Sequence, residues 1–212
     1  RDWAWQTQDV VSTLKIGLET FYRNGAEAIE VVRESGCDLF LDVKLHDIPN
    51  TVAGAAAALS RYAPKYLTVH ASGGPEMVRA ACEELPETLV AAVTVLTSLD
   101  DQALAEVGIC TPAQDTVLRQ AALAVAAGAR AIVCSPHEVA RVRAEVGSGI
   151  ILITPGVRPA GSAPGDQKRV MTPVEALDCG ADLLVIGRPI TDSPNLKQAA
   201  DAIARELSLI HI

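Results

Sequence analysis

Aromatic residues are scarce: two Trp, three Tyr and two Phe make up 3% of the 212 residues. Alanine and valine dominate the apolar content instead, as they do where helices pack closely on a parallel sheet. A disulfide framework and a zinc spacing are both missing. The five cysteines, Cys37, Cys82, Cys110, Cys134 and Cys179, are odd in number and no two stand as Cys-x-x-Cys. That usage indicates reduced, mostly packed thiols in a cytoplasmic protein. No apolar run reaches the roughly 18–20 residues of a membrane helix, and the opening Arg1-Asp2-Trp3-Ala4-Trp5-Gln6 has no secretory pattern. Positive charge is not in excess either. A net charge of −8 disfavours non-specific binding to nucleic acid, while a small phosphorylated ligand stays open because one local basic site suffices. Repeats, linkers and low-complexity segments are absent. With 49% hydrophobic and 21% charged residues, the chain suits a single domain, 1–212, able to bury a sizeable core.

What is present is alternation. Short apolar stretches near Leu14–Leu18, Leu39–Lys44, Tyr66–His70, Val90–Val95, Ala131–Cys134, Ile150–Thr154 and Leu183–Ile186 read as strands. Helical stretches follow near Tyr22–Glu34, Thr51–Tyr62, Pro75–Glu84, Asp115–Ala127, Pro136–Val146, Pro173–Cys179 and Asn195–Leu207, several opening on Pro, Asn, Asp or Thr. Repeated strand–helix units predict a parallel α/β sheet, open or closed. Seven strands are one short of a (β/α)8 TIM barrel.

The most informative stretch runs from Asp38 to Thr51. It begins as a doubly covered strand and then carries Asp42 and Lys44, two residues apart and so about 6.6 Å apart on one face of an extended chain. Asp47 follows where Pro49 forbids further ladder pairing. Ionisable groups at the end of a buried strand are costly unless they pair or do chemistry. A structural ion pair and a reactive cluster both fit this pattern.

Parallel sheets bind ligands at the carboxyl ends of their strands, and the polar residues gather there. Lys15 lies on the first strand and His70-Ala71-Ser72-Gly73-Gly74 follows the third. Thr94-Val95-Leu96-Thr97-Ser98 ends the fourth, Thr154-Pro155-Gly156-Val157-Arg158-Pro159 the sixth and Ile186-Gly187-Arg188-Pro189-Ile190-Thr191 the last. In barrels, loops after the final two strands form phosphate sites. Gly156 and Gly187 permit close backbone approach and Arg188 supplies a charged fork, which together favour phosphate binding. The small, polar segment from Ala160 to Arg169 suits a lid.

Other candidates are weaker. His46 and His70 lack a third ligand at a recognisable spacing, so no metal is expected. Capping or solvation accounts for His137 and His211, and Asp100-Asp101 and Glu83-Glu84 read as solvated surface charges. Ser72-Gly73-Gly74 is neither a nucleophile elbow nor a dinucleotide fingerprint.

The ten residues Asp42 to Thr51 resemble the Asp-x-Lys-x-x-Asp-Ile-Pro-Asn-Thr signature of the orotidine 5'-phosphate decarboxylase family. Thr154 to Pro159, Gly165 to Pro173 and Ile186 to Thr191 are similar to further family segments, so the likeness spans about residues 14 to 207. It implies a TIM barrel that decarboxylates orotidine 5'-phosphate to uridine 5'-phosphate with neither cofactor nor metal. Lys44 would steady and protonate the carbanion, Lys15 would pair with Asp42 and contact the ribose, and Asp47 would complete a Lys-Asp-Lys-Asp array. Thr97 would lie near the pyrimidine and Pro155 against the substrate; Arg158, Gln167, Gly187 and Arg188 would contact the phosphate. The likeness also implies a homodimer in which Asp47, Ile48 and Thr51 reach the partner's site. The family's first strand, with its sugar-binding aspartate, has no counterpart ahead of Lys15-Ile16-Gly17, so the N-terminal part is expected to be incomplete or atypical.

Two rival readings remain. Sugar-phosphate decarboxylases and aldolases of the same superfamily share Asp-x-Lys-x-x-Asp but use Mg2+; the continuation Ile48-Pro49-Asn50-Thr51 favours the nucleotide enzyme. A non-catalytic nucleotide-binding relative would not need Lys15, Asp42, Lys44 and Asp47 intact.

Overall fold

The computed structural model describes residues 2–159 and 171–208. A short helix α1 (Asp2–Thr7) precedes β1 (Thr13–Gly17), and α2 (Leu18–Asn24) and α3 (Ala26–Ser35) lead on to β2 (Asp38–Leu45). Helix α4 (Pro49–Ser60) joins β2 to β3 (Tyr66–His70), and α5 (Pro75–Glu84) joins β3 to β4 (Leu89–Val93). The chain continues through α6 (Asp101–Glu106) and α7 (Ala113–Ala126) to β5 (Ala131–Val133), then through α8 (Val139–Val146) to β6 (Ile151–Thr154). Beyond β6 come α9 (Pro173–Asp178), β7 (Leu183–Leu184), α10 (Arg188–Thr191) and α11 (Leu196–Ser208).

Among the described residues the strands form one seven-stranded sheet in chain order, each paired in parallel with the next. Lys15 of β1 and Val185 beyond β7 line the same cleft, so the sheet curls on itself as a barrel does. Alternation along each strand builds two cores. Leu39, Leu41 and Val43 of β2, with Leu67, Val69, Val90, Ala92, Ile132 and Leu152, face the helices. Phe40, Tyr66, Ala91, Ala131 and Ile153 fill the inside of the curl, with the Phe40 and Tyr66 rings 5.6 Å apart. Leu41, Leu67, Ile132 and Leu152 are all 0% exposed, and each such side chain contributes about 2 kcal/mol by burial. Alanines do the close packing on the helix side: Ala56, Ala81 and Ala121 are likewise 0% exposed.

Local chemistry sets the element ends. Proline occupies the first turn of α4, α5 and α9, and Thr172 with Glu175 closes a reciprocal capping box on α9. Arg143 of α8 donates to the Gly147, Ile150 and Gly180 carbonyls and pairs with Asp182, tying together the starts of β6 and β7.

Three expectations need correction. The helix expected over Tyr22–Glu34 is two helices, because Gly25 takes φ +53° and ψ −129°, which no helical residue adopts. Helix α8 starts at Val139 rather than Pro136; the preceding residues turn on a Glu138 N–H to Ser135 carbonyl bond. Asp100 and Asp101 are not merely solvated: Asp100 caps α6 by accepting from the Ala103 N–H, and Asp101 Oδ1 accepts from the Ala113 N–H at 2.8 Å.

Candidate functional site

Above the inner core, at the carboxyl ends of the strands, lies a cleft of about 500 Å³. The alternation that points Phe40 inward points Asp42 inward one step further along β2. Gly17 is the register partner of Asp42 on β1, and Lys15 stands opposite Phe40. Lys15 therefore reaches past Gly17 to Asp42, and a Cβ on Gly17 would stand only 3.1 Å from its Nζ. Lys15 Nζ donates to Asp42 Oδ2 at 2.9 Å, and Lys44 Nζ donates to Asp42 Oδ1 at 2.7 Å. One carboxylate, in a residue 9% exposed, is thus shared by two ammonium groups. Burial alone would raise the Asp42 carboxyl, but the Lys15 charge and the hydrogen bond and charge of Lys44 outweigh it and hold the group below its ordinary range.

Lys44 does not reach this position by plain strand alternation. Its φ is +47°, in the left-handed region, which costs a non-glycine residue about 1–2 kcal/mol. The β2–β3 register shifts here, with Leu41 opposite Leu67 but Leu45 opposite Val69. Backbone strain of this kind survives only where the surroundings over-determine it, and it clusters at functional sites. The Lys44 N–H finds its acceptor in the Thr68 hydroxyl at 2.8 Å.

The cleft brings together Lys15, Asp42, Lys44, Thr97, Pro155, Arg158, Gly187 and Arg188 from the residues expected on sequence grounds. Gly156 has φ +78° and turns the chain after β6 toward Arg158, whose N–H donates to the Met171 carbonyl. At Gly187 the space a Cβ would take is open, so the backbone there is approachable from the cleft. Asp47, Ile48 and Thr51 are exposed and do not line the cleft; Asp47 Oδ1 accepts from its neighbour's N–H on Ile48 at 2.6 Å. The array within one chain is therefore Lys15–Asp42–Lys44, with Asp47 outside it. Gln167 and the Ala160–Arg169 segment lie outside the described residues.

Sequence reasoning missed Phe40, Thr68, Val93, Val133, Ile153 and Val185 as cleft residues. The alternation around Asp42 could have found Phe40. Thr68 carries no such signal, because its place depends on the register shift. His46 and His70 pack with ring centroids 5.2 Å apart. Burial first, then the electrostatic effect of His46 and Lys44, push the His70 imidazole below its ordinary value. Among the described residues no group of three or more His, Cys, Asp or Glu could hold a metal ion, and no helix is long and apolar enough to cross a membrane. None of the five cysteines is joined in a disulfide; Cys110 is exposed rather than packed, and burial pushes the Cys82 thiol up to about 11.

A curled parallel sheet with two lysines sharing a carboxylate and two arginines in one cleft defines a barrel protein built for an anionic ligand. The profile of the orotidine 5'-phosphate decarboxylase / HUMPS family matches residues 2–203. A protein from Thermobifida fusca named orotidine 5'-phosphate decarboxylase is 62% identical over 206 residues, 97% of this chain and 88% of that one. One of the same name from Anaeromyxobacter sp. strain K is 56% identical over 198 residues, 93% of this chain and 87% of its own. The crystal structure of orotidine 5'-phosphate decarboxylase from Lactobacillus acidophilus superposes with a TM-score of 0.79 at 37% identity, covering 91% of this chain and 85% of that one. The chain belongs to the orotidine 5'-phosphate decarboxylase / HUMPS family.

Proposed function

We propose that this chain decarboxylates orotidine 5'-phosphate to uridine 5'-phosphate, a step of pyrimidine nucleotide synthesis, without an organic cofactor or metal. The observation that carries the reading is the Asp42 carboxylate bridging Lys15 and Lys44 in the cleft that also holds Arg158 and Arg188. Relatives up to 62% identical bear the name of that activity.

The chemistry asks for such an arrangement. When the bond to CO2 breaks, its electron pair stays on a ring carbon with no carbonyl to absorb it. Pyridoxal and thiamine enzymes give the pair to a cofactor ring. Here a fixed ammonium must serve, and a preorganised charge in a site shielded from water is worth far more than in bulk. Lys44 then delivers its proton to that carbon and is left as a neutral amine, which water reprotonates. Asp42 orients Lys44 through their ion pair; Lys15 fixes Asp42 and contacts the ribose. Thr97 and Pro155 face the pyrimidine end. Arg158, Arg188, the Gly187 backbone and Gln167 receive the phosphate, whose binding energy supports the chemistry at the far end of the substrate.

The active form in this reading is a cytoplasmic homodimer in which Asp47, Ile48 and Thr51 of one chain complete the site of the other. Support comes from their exposure on the single chain, 65% for Ile48, an apolar residue. The test is release of CO2 from orotidine 5'-phosphate by the purified protein, with and without EDTA. EDTA-insensitive release is expected. Release abolished by EDTA would move the assignment to the Mg2+-dependent sugar-phosphate enzymes, and binding of uridine 5'-phosphate with no release would mark a non-catalytic relative.

A further inference from the structure

Between Leu41 and Leu45, β2 advances four residues while β3 advances two, from Leu67 to Val69. The two extra residues form a bulge, and the residue of β3 facing it is Thr68, which is 1% exposed. A bulge removes ladder hydrogen bonds, and here one hydroxyl replaces them. Thr68 Oγ1 accepts from the Lys44 N–H at 2.8 Å and donates to Asp42 Oδ1 at 3.0 Å. The direction is fixed, because the amide can only donate and the carboxylate can only accept.

The consequence reaches both ends of the ion-paired group. Asp42 Oδ1 receives Lys44 Nζ and the Thr68 hydroxyl, while Oδ2 receives Lys15 Nζ. The carboxylate cannot rotate without losing one of these. The left-handed backbone of Lys44, φ +47°, is meanwhile pinned through its own N–H. A single side chain sets where the lysine's backbone stands and which way its carboxylate partner faces.

We propose that Thr68 is a positioning residue for the decarboxylation, fixing the Lys44 ammonium through the bulge and through Asp42. This rests on the reading of the cleft as a decarboxylase site. The Thr68 hydroxyl is taken up by the Lys44 N–H and Asp42 Oδ1; it acts by keeping Lys44 within the narrow range of positions that turnover tolerates, where a displacement near 1 Å costs roughly 100-fold.

Thr68→Val keeps the shape and deletes the hydroxyl, and Thr68→Ser keeps the hydroxyl and deletes the methyl. CO2 release is measured for both and for wild type, with uridine 5'-phosphate affinity and melting temperature alongside. For Thr68→Val the expected result is a kcat roughly 100-fold lower, with KM and product affinity within about threefold of wild type. Thr68→Ser is expected to recover kcat to within about threefold. A merely structural threonine would lower the melting temperature without splitting kcat from KM. A Thr68→Val kcat within threefold of wild type overturns the proposal, and so does an equal loss in Thr68→Ser. If Thr68→Val does not fold, Thr68→Ala carries the same expectation. Absence of wild-type turnover is a separate result: it removes the decarboxylase reading, and the role of Thr68 with it.

Discussion

Replacing Asp42 by asparagine separates charge from shape at the centre of the site. The amide oxygen can accept from Lys44 and Thr68 or from Lys15, but not from all three, since the other side now carries an NH2. Two ammonium groups then face each other with no carboxylate between them. Breaking a buried pair by removing one partner costs 3–5 kcal/mol where the survivor is dry. The side chains of Lys15 and Lys44 keep 33% and 27% of their surface in solvent, so we expect about 2 kcal/mol of lost stability after that discount. For a chain of this size that is about 4–8 °C in melting temperature. Turnover suffers more, because the Lys44 ammonium loses the carboxylate that orients it. Losing one preorganised electrostatic contact costs about 100- to 1,000-fold in kcat, and the same range is expected in CO2 release by Asp42→Asn. A variant that melts lower yet turns over within tenfold of wild type would refute the reasoning, since Asp42 would then be a structural ion-pair residue.

Two further outcomes follow from the same geometry. Arg188→Ala deletes a charge-assisted bond to the phosphate worth about 1.5–3 kcal/mol; calorimetry should show uridine 5'-phosphate bound roughly 10- to 150-fold more weakly, while uridine changes less than twofold. Equal losses for both would remove the phosphate assignment. The depressed His70 imidazole gives a pH dependence. Below its ordinary value of 6.5 the unfolded chain takes a proton that the folded chain refuses, so stability is full above that pH and falls as the pH drops toward the folded value. The ring is only partly buried, so solvent screening keeps the effect small. Thermal melts at pH 7 and pH 5 should differ more for wild type than for His70→Gln, and identical differences would exclude this source.

The strand–helix alternation was legible because apolar runs of Leu, Val and Ile mark each strand, and the parallel order of the sheet follows from the helices between them. The charged cluster was legible too, though for an incomplete reason. Strand alternation led to the pairing of Asp42 with Lys44, whereas the contact runs through a bulge with Lys44 left-handed. No side-chain preference announces that conformation in lysine. Thr68 stayed hidden for the same cause, since only the shifted register brings its hydroxyl to Asp42. Helix α6 was missed because Asp100 looks the same in a sequence whether it faces water or caps a turn, and only its bond from Ala103 decides. Asp47 read as part of the Lys-Asp-Lys-Asp array and stands outside it in the single chain, where its carboxylate binds the next residue's N–H. Sequence spacing cannot say whether a motif residue serves its own cleft or another chain's.

The most direct test is Lys44→Ala, assayed for CO2 release from orotidine 5'-phosphate and for uridine 5'-phosphate affinity in the same preparation. The account predicts turnover at least 1,000-fold lower, with product binding still readily measured because the arginine end of the cleft is intact. Turnover within tenfold of wild type, at unchanged affinity, would contradict it.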